Sequence, residues 1–153
     1  YHSPVMLQEA LHWLEVQPAG AYVEATFGGG GHARAILAGM GPEGRLAAFD
    51  QDPDAAANLP DDARLAFLPA NFRELAEALG QIHYPPADGI LADLGVSSHQ
   101  FDTAGRGFSF RFEGPLDMRM DPAAPVSAAE LVNDLPADEL ADILYEYGEL
   151  HQS

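Results

Sequence analysis

The sequence contains no cysteine and no lysine, and each absence excludes several classes of function. Without cysteine the chain can form no disulfide, thiolate zinc site or cysteine nucleophile. All seven basic residues are arginine, so a P-loop lysine and a Schiff-base lysine are excluded as well. No apolar run approaches the length of about 18 residues that marks a membrane helix, and no secretory signal is visible. We therefore expect a cytoplasmic protein with no membrane span.

Positive charge is also scarce, because 24 acidic residues face 7 basic ones and the formal net charge is −17. Such a charge repels a phosphate backbone at long range. The acidic residues lie mostly where helix surfaces are expected, which favours a role in solubility. The charge counts against a nucleic-acid substrate unless the arginines are gathered in one place.

What the chain does contain is an alternation of short apolar strands with helical patterns. The 153 residues, 47% of them apolar, suffice for one domain with a core. The alternation predicts an α/β fold, a doubly wound and mostly parallel sheet with helices on both faces. Ser3 and Asn71 are expected as N-caps, with Pro4 at the first helical position. The predicted strands are 21–26, 45–49, 65–68 and 89–92, and the predicted helices are 4–14, 32–38, 54–58 and 72–79.

The pattern changes after the fourth strand. Residues 95–125 are rich in Gly, Pro, Ser and Phe and read as one long functional loop. Two helices follow, one with a capping box of Ser127 and Glu130 and one after Pro136. We assign residues 1–126 to a Rossmann-like domain and 127–153 to a helical segment that begins an inserted domain. Four strands with an unfinished edge predict a sheet truncated before its final strands.

A run of four glycines, residues 28–31, lies between the first strand and its helix. Glycines let the backbone approach a ligand closely, and the helix N-terminus offers free N–H groups. Asp50 ends the next strand, where a carboxylate can bind ribose hydroxyls. The pattern predicts a nucleoside site, and on this motif alone S-adenosylmethionine and NAD are equally favoured. A tight turn without a ligand is the weaker interpretation.

Asp93 ends the fourth strand, which a doubly wound sheet places beside the first strand across a crevice. We therefore expect its carboxylate to face the reacting end of a bound cofactor, the alternative being a turn cap. The loop that follows interleaves arginine with phenylalanine, which suits phosphate contacts and base stacking. The candidate substrate-loop residues are Arg106, Phe108, Phe110, Arg111 and Arg119.

Several motifs occur in a fixed order and together cover nearly the whole chain. They are residues 2–7, 24–32, 49–53, 71–72, 88–98, 106–110 and 115–120. Together they resemble the bacterial small-subunit ribosomal RNA cytosine N4-methyltransferases. The last three motifs are long and unusual, so the resemblance is specific.

The resemblance implies a class I methyltransferase that uses S-adenosylmethionine to methylate the exocyclic amine of one cytidine in the decoding region of small-subunit ribosomal RNA. The implied partner is that RNA within the assembled small subunit, with no membrane, and a homodimer is left open. By position, Gly30, Gly31 and His32 would hold the methionine end of the cofactor. The other implied cofactor contacts are Asp50 to the ribose, Phe72 to the adenine, and Asp93 with Gln100 completing the site.

Two departures from the family pattern matter. Glu24 stands where the family usually has Asp, which moves the carboxylate outward by one methylene. Family members are also about twice as long, because they insert a helical substrate-recognition domain and then complete the sheet. We therefore expect cofactor binding from this chain more readily than independent activity.

For the reaction, we expect Asp93 to polarise the cytosine amine, helped by backbone carbonyls in residues 94–96. Phe108 or Phe110 would stack on the splayed base. The histidines lack metal-ligand spacing, and no metal is predicted. Two other interpretations are an NAD-dependent oxidoreductase, which leaves the motifs around Arg106 and Asp117 unexplained, and a silent fragment that binds cofactor or protein but no RNA.

Overall fold

A four-stranded, fully parallel sheet organises the first part of the chain in the computed structural model, which describes residues 4–148. Its strands lie in the order β3-β2-β1-β4, so the chain steps outward from β1 to β3 and then returns to place β4 beside β1. This order confirms the predicted Rossmann-like class and puts a switch point between β1 and β4. The strands are β1 (Ala21–Glu24), β2 (Arg45–Phe49), β3 (Leu65–Leu68) and β4 (Gly89–Leu91).

The helices fall close to their predicted positions. The α-helices are α1 (Leu7–Leu14), α2 (Gly31–Gly39), α3 (Leu75–Gln81), α4 (Ser98–Asp102), α5 (Ala128–Asp134) and α6 (Ala137–Gly148). Short 3-10 helices span Pro53–Asn58, Phe72–Glu74 and Ala104–Arg106. The side chain of Asn71 accepts a hydrogen bond from the Arg73 N–H, which confirms it as an N-cap.

Helices cover both faces of the sheet at β1 and β2, whereas Ile90 of β4 is exposed. On one face, Tyr22, Leu46 and Ala48 pack against α2, with side chains of α1 at the edge of the same cluster. On the other face, Val23 and its neighbours on β2 pack against Leu75 and Leu79 of α3. Because β1 lies between two strands and beneath two layers, all four of its residues are buried. That includes Glu24, an acid at the carboxyl end of the strand.

The start of α1 differs from the prediction. The helix begins at Leu7, after Met6 in a left-handed conformation with φ of 49°, and not at Pro4. Pro4 packs against Gly31, where an added Cβ would overlap the proline ring, and the Val5 carbonyl lies 3.1 Å from Nε2 of His32. These contacts with the start of α2 hold the segment out of the helix. Ser3, the predicted N-cap, lies outside the described residues.

The chain divides into two compact units, one ending at Ser98 and the other beginning at His99. The second unit holds most of the predicted loop, with all of α4 except Ser98 and with the 3-10 helix Ala104–Arg106. Ser127 and Glu130 form the predicted capping box at the start of α5. The domain boundary at 126/127 stays a prediction. Residues 149–153 of the predicted helical segment lie outside the described residues. No helix within residues 4–148 is long and apolar enough to cross a membrane.

Candidate functional site

The carboxyl ends of β1, β2 and β4 meet at the switch point, and each strand brings one acid there. Glu24 is the last residue of β1, Asp50 follows β2, and Asp93 lies two residues beyond β4. The Asp93 N–H donates to Oγ1 of Thr26 at 2.8 Å, which ties the end of β4 to the end of β1. We call Glu24, Asp50 and Asp93 the carboxylate row. The structure therefore brings together Asp50 and Asp93, which the sequence analysis predicted as site residues, and Glu24, which it noted only as a departure from the family pattern.

The glycine loop between β1 and α2 needs glycine for two physical reasons. Gly28 and Gly30 have φ of 50° and 70°, a left-handed conformation that other residues adopt only with strain. An added Cβ on Gly30 would also come within 2.7 Å of the Phe27 ring. Gly30 is the N-cap of α2 and supplies no side chain, so within the described chain no side chain caps this helix. The first N–H groups of α2 are thus available to a ligand.

Asp50 anchors the same loop from the neighbouring strand. Its Oδ2 accepts the Gly28 N–H at 2.7 Å, and its Oδ1 accepts the Asp52 N–H at 2.8 Å. Burial raises the pKa of Asp50, while these backbone donors oppose the rise. Each carboxylate oxygen can accept a second hydrogen bond, so a ribose hydroxyl still has a place to donate.

Two polar side chains that the sequence analysis did not single out hold the carbonyl side of the glycine loop. Arg34 donates to the Gly29 carbonyl at 2.8 Å, and its other terminal nitrogen donates to the Asn58 carbonyl. The amide of Asn58 donates to the Gly28 carbonyl at 3.1 Å. We call Arg34 and Asn58 the carbonyl clamp. Their partners lie 5 to 30 residues away in sequence, so no local pattern indicated them.

Weakening the carbonyl clamp should weaken cofactor binding more than folding. In Asn58→Ala the Gly28 carbonyl loses its donor without a change of charge, and one hydrogen bond is worth about 1 kcal/mol. For S-adenosylmethionine, the ligand that the family resemblance implies, we expect the dissociation constant to rise about three- to tenfold, measured by calorimetry. Asn133→Ala is the matched control, because Asn133 also donates its amide to a backbone carbonyl, that of Ala129 in α5. Equal cofactor affinities in the two variants would contradict the role of the clamp.

Glu24 is the unusual member of the carboxylate row. It is 0% exposed, and neither carboxylate oxygen has a hydrogen-bond partner among residues 4–148. Burial, together with the charges of Asp50 and Asp93, raises its pKa well above the ordinary value of 4.5. The Ala33 N–H and the Arg34 charge lower the pKa to a smaller extent, although the N–H lies outside hydrogen-bond geometry. The described residues contain no group of three or more acids and histidines placed to hold a metal ion.

The remaining predicted cofactor residues of the first unit also lie after strands, at the carboxyl edge of the sheet; we call that edge, with the glycine loop and the carboxylate row, the cleft. His32 is buried, and its ring lies against the Val5 carbonyl, while its backbone N–H belongs to the first turn of α2. Phe72 opens the 3-10 helix after β3 and is 44% exposed, which leaves a ring face accessible. Nearby, the amide of Asn71 donates to Oε1 of Gln51 at 2.7 Å. The assigned roles of His32 and Phe72 toward a cofactor stay predictions.

Gln100 and Arg106 lie in the second unit, and both are buried. The guanidinium of Arg106 donates to the carbonyls of Arg119 and Met120, at 3.0 and 2.7 Å. The Arg106 carbonyl in turn accepts the Met118 N–H. Arg106 therefore holds two stretches of the loop together. Contacts of Arg106 with RNA, and of Gln100 with a cofactor, stay predictions.

The other substrate-loop candidates divide into paired and accessible groups. Arg119 forms a bidentate pair with Asp117, with a shortest distance of 2.6 Å, which lowers the pKa of Asp117 to about 2. Arg111 is 67% exposed in an ion pair with Asp102. Phe110 is fully exposed, whereas Phe108 is only partly exposed. Of the five candidates, Phe110 and Arg111 are the most accessible.

Comparisons with known proteins agree on one family. The model of the MraW methylase family matches residues 1–153. Proteins named ribosomal RNA small subunit methyltransferase H are similar to this chain, with 54% identity in Parabacteroides distasonis and 52% in Bacteroides fragilis. A relative of the same name in Porphyromonas gingivalis is 53% identical. Each alignment covers 100% of this chain and 50% of the relative, so the chain spans about half the length of these relatives.

Proposed function

The chain belongs to the MraW methylase family, and from that premise we propose that it binds S-adenosylmethionine and serves a methyltransferase acting on small-subunit ribosomal RNA. The finer proposal is transfer of a methyl group to N4 of a cytidine in the decoding region. The names of the relatives support ribosomal RNA as the class of substrate. The charges and hydrogen-bonding groups of the cleft indicate which cofactor and which base would fit.

The carboxylate row is the observation that favours S-adenosylmethionine over NAD. The glycine loop suits both ligands, since both present a nucleoside to the end of β2. NAD adds a diphosphate, which would be repelled by the carboxylates of Asp50 and Asp93 beside an otherwise suitable helix N-terminus. S-adenosylmethionine instead adds an ammonium and a sulfonium, and both cations are attracted by the row. The charge of the cleft therefore separates two ligands that the glycine motif leaves equal.

The proposed cofactor assignments are those that the family resemblance implies, and the geometry of the first unit supports the ones that lie within it. Gly30, Gly31 and His32 present the uncapped start of α2 to the carboxylate of the methionine moiety. Asp50 accepts ribose hydroxyls, and the exposed ring of Phe72 covers the adenine. Asp93 completes the site within the first unit, and the contact of Gln100 with the cofactor stays an expectation from the family resemblance.

The bound cofactor supplies an electrophilic methyl group on a positively charged sulfur. Held by the glycine loop and Asp50, the cofactor would donate that methyl group to the nitrogen of the cytosine amine. The electron pair of the broken bond would stay on sulfur, and the proton lost by the nitrogen would pass to solvent. Asp93 suits the task of orienting the amine, because its side chain is exposed to an incoming base while its N–H is fixed by Thr26. A carboxylate that accepts a hydrogen bond from the amine increases the electron density on nitrogen.

The surface of the second unit favours stacking over phosphate binding as the main contact with RNA. Phe110 offers a free ring, and the guanidinium of Arg111 lies 5.8 Å from the centre of the Phe112 ring. Arg106 and Arg119 are engaged within the loop, so they add little long-range attraction against a net charge of −17. Stacking on splayed bases tolerates that charge better than tracking of a phosphate backbone. The partner in this proposal is the assembled small subunit in the cytoplasm, and a dimer is a further expectation.

Calorimetric titration tests the cofactor assignment directly. We expect S-adenosylmethionine and S-adenosylhomocysteine to bind this chain with dissociation constants on the order of micromolar, and NAD to show no heat. NAD binding that S-adenosylhomocysteine fails to compete would instead indicate the oxidoreductase.

The RNA proposal has a separate test. Small subunits that lack the proposed N4-methylcytidine are incubated with the full-length gene product, and the nucleosides are then identified by mass spectrometry. A methyl group at any position other than N4 of cytidine would refute the finer assignment.

A second function, cofactor binding without RNA methylation, is favoured by one observation. The chain spans about half the length of its relatives, so it holds the glycine loop and carboxylate row but half of a relative's residues have no counterpart in it. Running the same methylation assay on this chain alone separates the two functions. Methylated cytidine formed by the chain alone would exclude the second function, cofactor binding without RNA methylation.

A further inference from the structure

The carboxyl group of Glu24 is enclosed without a hydrogen-bond partner among the described residues at the carboxyl end of β1. It is 0% exposed, and within residues 4–148 neither of its oxygens makes a hydrogen bond. A buried carboxylate with no donor is strongly disfavoured, whereas the neutral acid is tolerated much better. Glu24 therefore favours its protonated form unless a cation lies close to it.

Charged groups face Glu24 from three neighbouring elements, and most of them are negative. Asp50 at the end of β2 and Asp93 beyond β4 both disfavour its ionised form. Arg34 of α2 acts in the opposite direction, as does the Ala33 N–H. The guanidinium of Arg34 already serves the carbonyls of Gly29 and Asn58, so it compensates the row only in part. The charge around Glu24 is therefore negative on balance, which suits a cationic ligand.

We propose, resting on the proposed cofactor, that Glu24 is the charge-specificity residue of the cleft: it is protonated in the free protein and releases that proton to solvent when a sulfonium ligand binds. After methyl transfer the ligand is a neutral thioether, and Glu24 takes a proton back from solvent. The ionised carboxylate stabilises the charged cofactor and gives no such help to the product. Glu24 thereby favours exchange of the spent cofactor for a fresh one.

The direction of the pH dependence follows from burial. The folded chain binds the Glu24 proton more tightly than the unfolded chain does, because burial raises its pKa above 4.5. The resulting contribution to stability is complete below pH 4.5 and is lost as the pH rises through the folded pKa. Glu24→Gln mimics the neutral acid, so it should be more stable than the parent at neutral pH, and this difference should shrink as the pH falls toward 4.5.

The test counts protons during binding. S-adenosylmethionine and S-adenosylhomocysteine are titrated into the parent chain and Glu24→Gln in buffers of different ionisation enthalpy, from roughly pH 5.5 to 8. We expect the parent to release up to about one proton more than the variant with the sulfonium ligand, and clearly fewer with the thioether. The preference for sulfonium over thioether should fall about tenfold in the variant. Both ligands carry the same α-amino group, so the difference between the two proteins isolates Glu24.

Each outcome bears on a different claim. Failure of S-adenosylmethionine to bind at all refutes the proposed cofactor, whereas binding with equal proton release in both proteins refutes only the role of Glu24. If Glu24→Gln does not fold, difference infrared spectroscopy of the parent replaces it. Loss of a protonated-carboxyl band on adding the sulfonium ligand, but not the thioether, then supports the proposal, and an unchanged band overturns it.

Discussion

Replacing Asp93 by Asn is expected to lower the rate of methyl transfer by about a hundred- to a thousandfold while leaving the fold intact. The size of the effect follows from the proposed role, a hydrogen bond to the amine that strengthens as charge develops on nitrogen. The fold is spared because Asp93 contributes its backbone N–H to the Thr26 contact, and its side chain is exposed. The measurement is single-turnover methylation of small subunits by the full-length gene product, with the thermal midpoint determined alongside.

Asp61→Asn is the matched control, since it removes an exposed carboxylate from the turn before β3. It should leave both the rate and the thermal midpoint unchanged. An Asp93→Asn protein that folds normally and methylates at the parental rate would remove Asp93 from the mechanism. Weaker cofactor binding with an unchanged rate at saturation would restrict its role to the cofactor.

Arg106→Leu is expected to loosen the second unit by about 2–5 kcal/mol, the cost of breaking a buried charged contact and leaving its acceptors unpaired. The guanidinium bonds the carbonyls of Arg119 and Met120, and leucine offers them no donor. Hydrogen exchange over residues 104–120 should increase sharply, and the unfolding transition of the chain should shift to lower denaturant.

Arg111→Leu is the control within the same loop. Its ion pair with Asp102 is exposed at both ends, and such pairs contribute about 1 kcal/mol or less. This variant should keep parental hydrogen exchange and lose affinity for small subunits, because Arg111 is the accessible arginine. If instead Arg106→Leu left the exchange rates unchanged, the buried arginine would not be what holds the loop.

The sheet and the glycine loop were predictable because their signals are local. Each strand is a short apolar run, and the residue that follows it is fixed at the carboxyl edge by the parallel topology. The positions of Asp50 and Asp93 at the carboxyl edge of the sheet could therefore be predicted from the strand pattern, whereas their roles stay predictions. The start of α1 was predicted wrongly for the opposite reason, since packing of Pro4 and Val5 on α2 overrides the local preference of the segment.

The features that could not be predicted depend on contacts between distant residues. Arginine next to phenylalanine reads as an exposed RNA-binding pattern, and nothing in residues 106–112 indicates that Arg106 is buried while Arg111 is not. The bond of Asn58 to the Gly28 carbonyl joins residues 30 apart, and Asn58 stands at the end of a short 3-10 helix without a motif. Glu24 has no hydrogen-bond donor among the described residues around it, and which residues surround it is set by the fold and not by a local sequence pattern.

The hydrogen bonds around the glycine loop also affect the rates at which a ligand associates and dissociates. Asp50 holds one side of the loop, the carbonyl clamp holds the other, and Gly30 closes onto the Phe27 carbonyl at 2.8 Å. A glycine-rich segment would otherwise lose much conformational entropy on capturing a ligand. Here that ordering is complete before the ligand arrives, so association requires no slow rearrangement of the loop. Ligand lifetime in the cleft then becomes the quantity that substitutions around the loop will change.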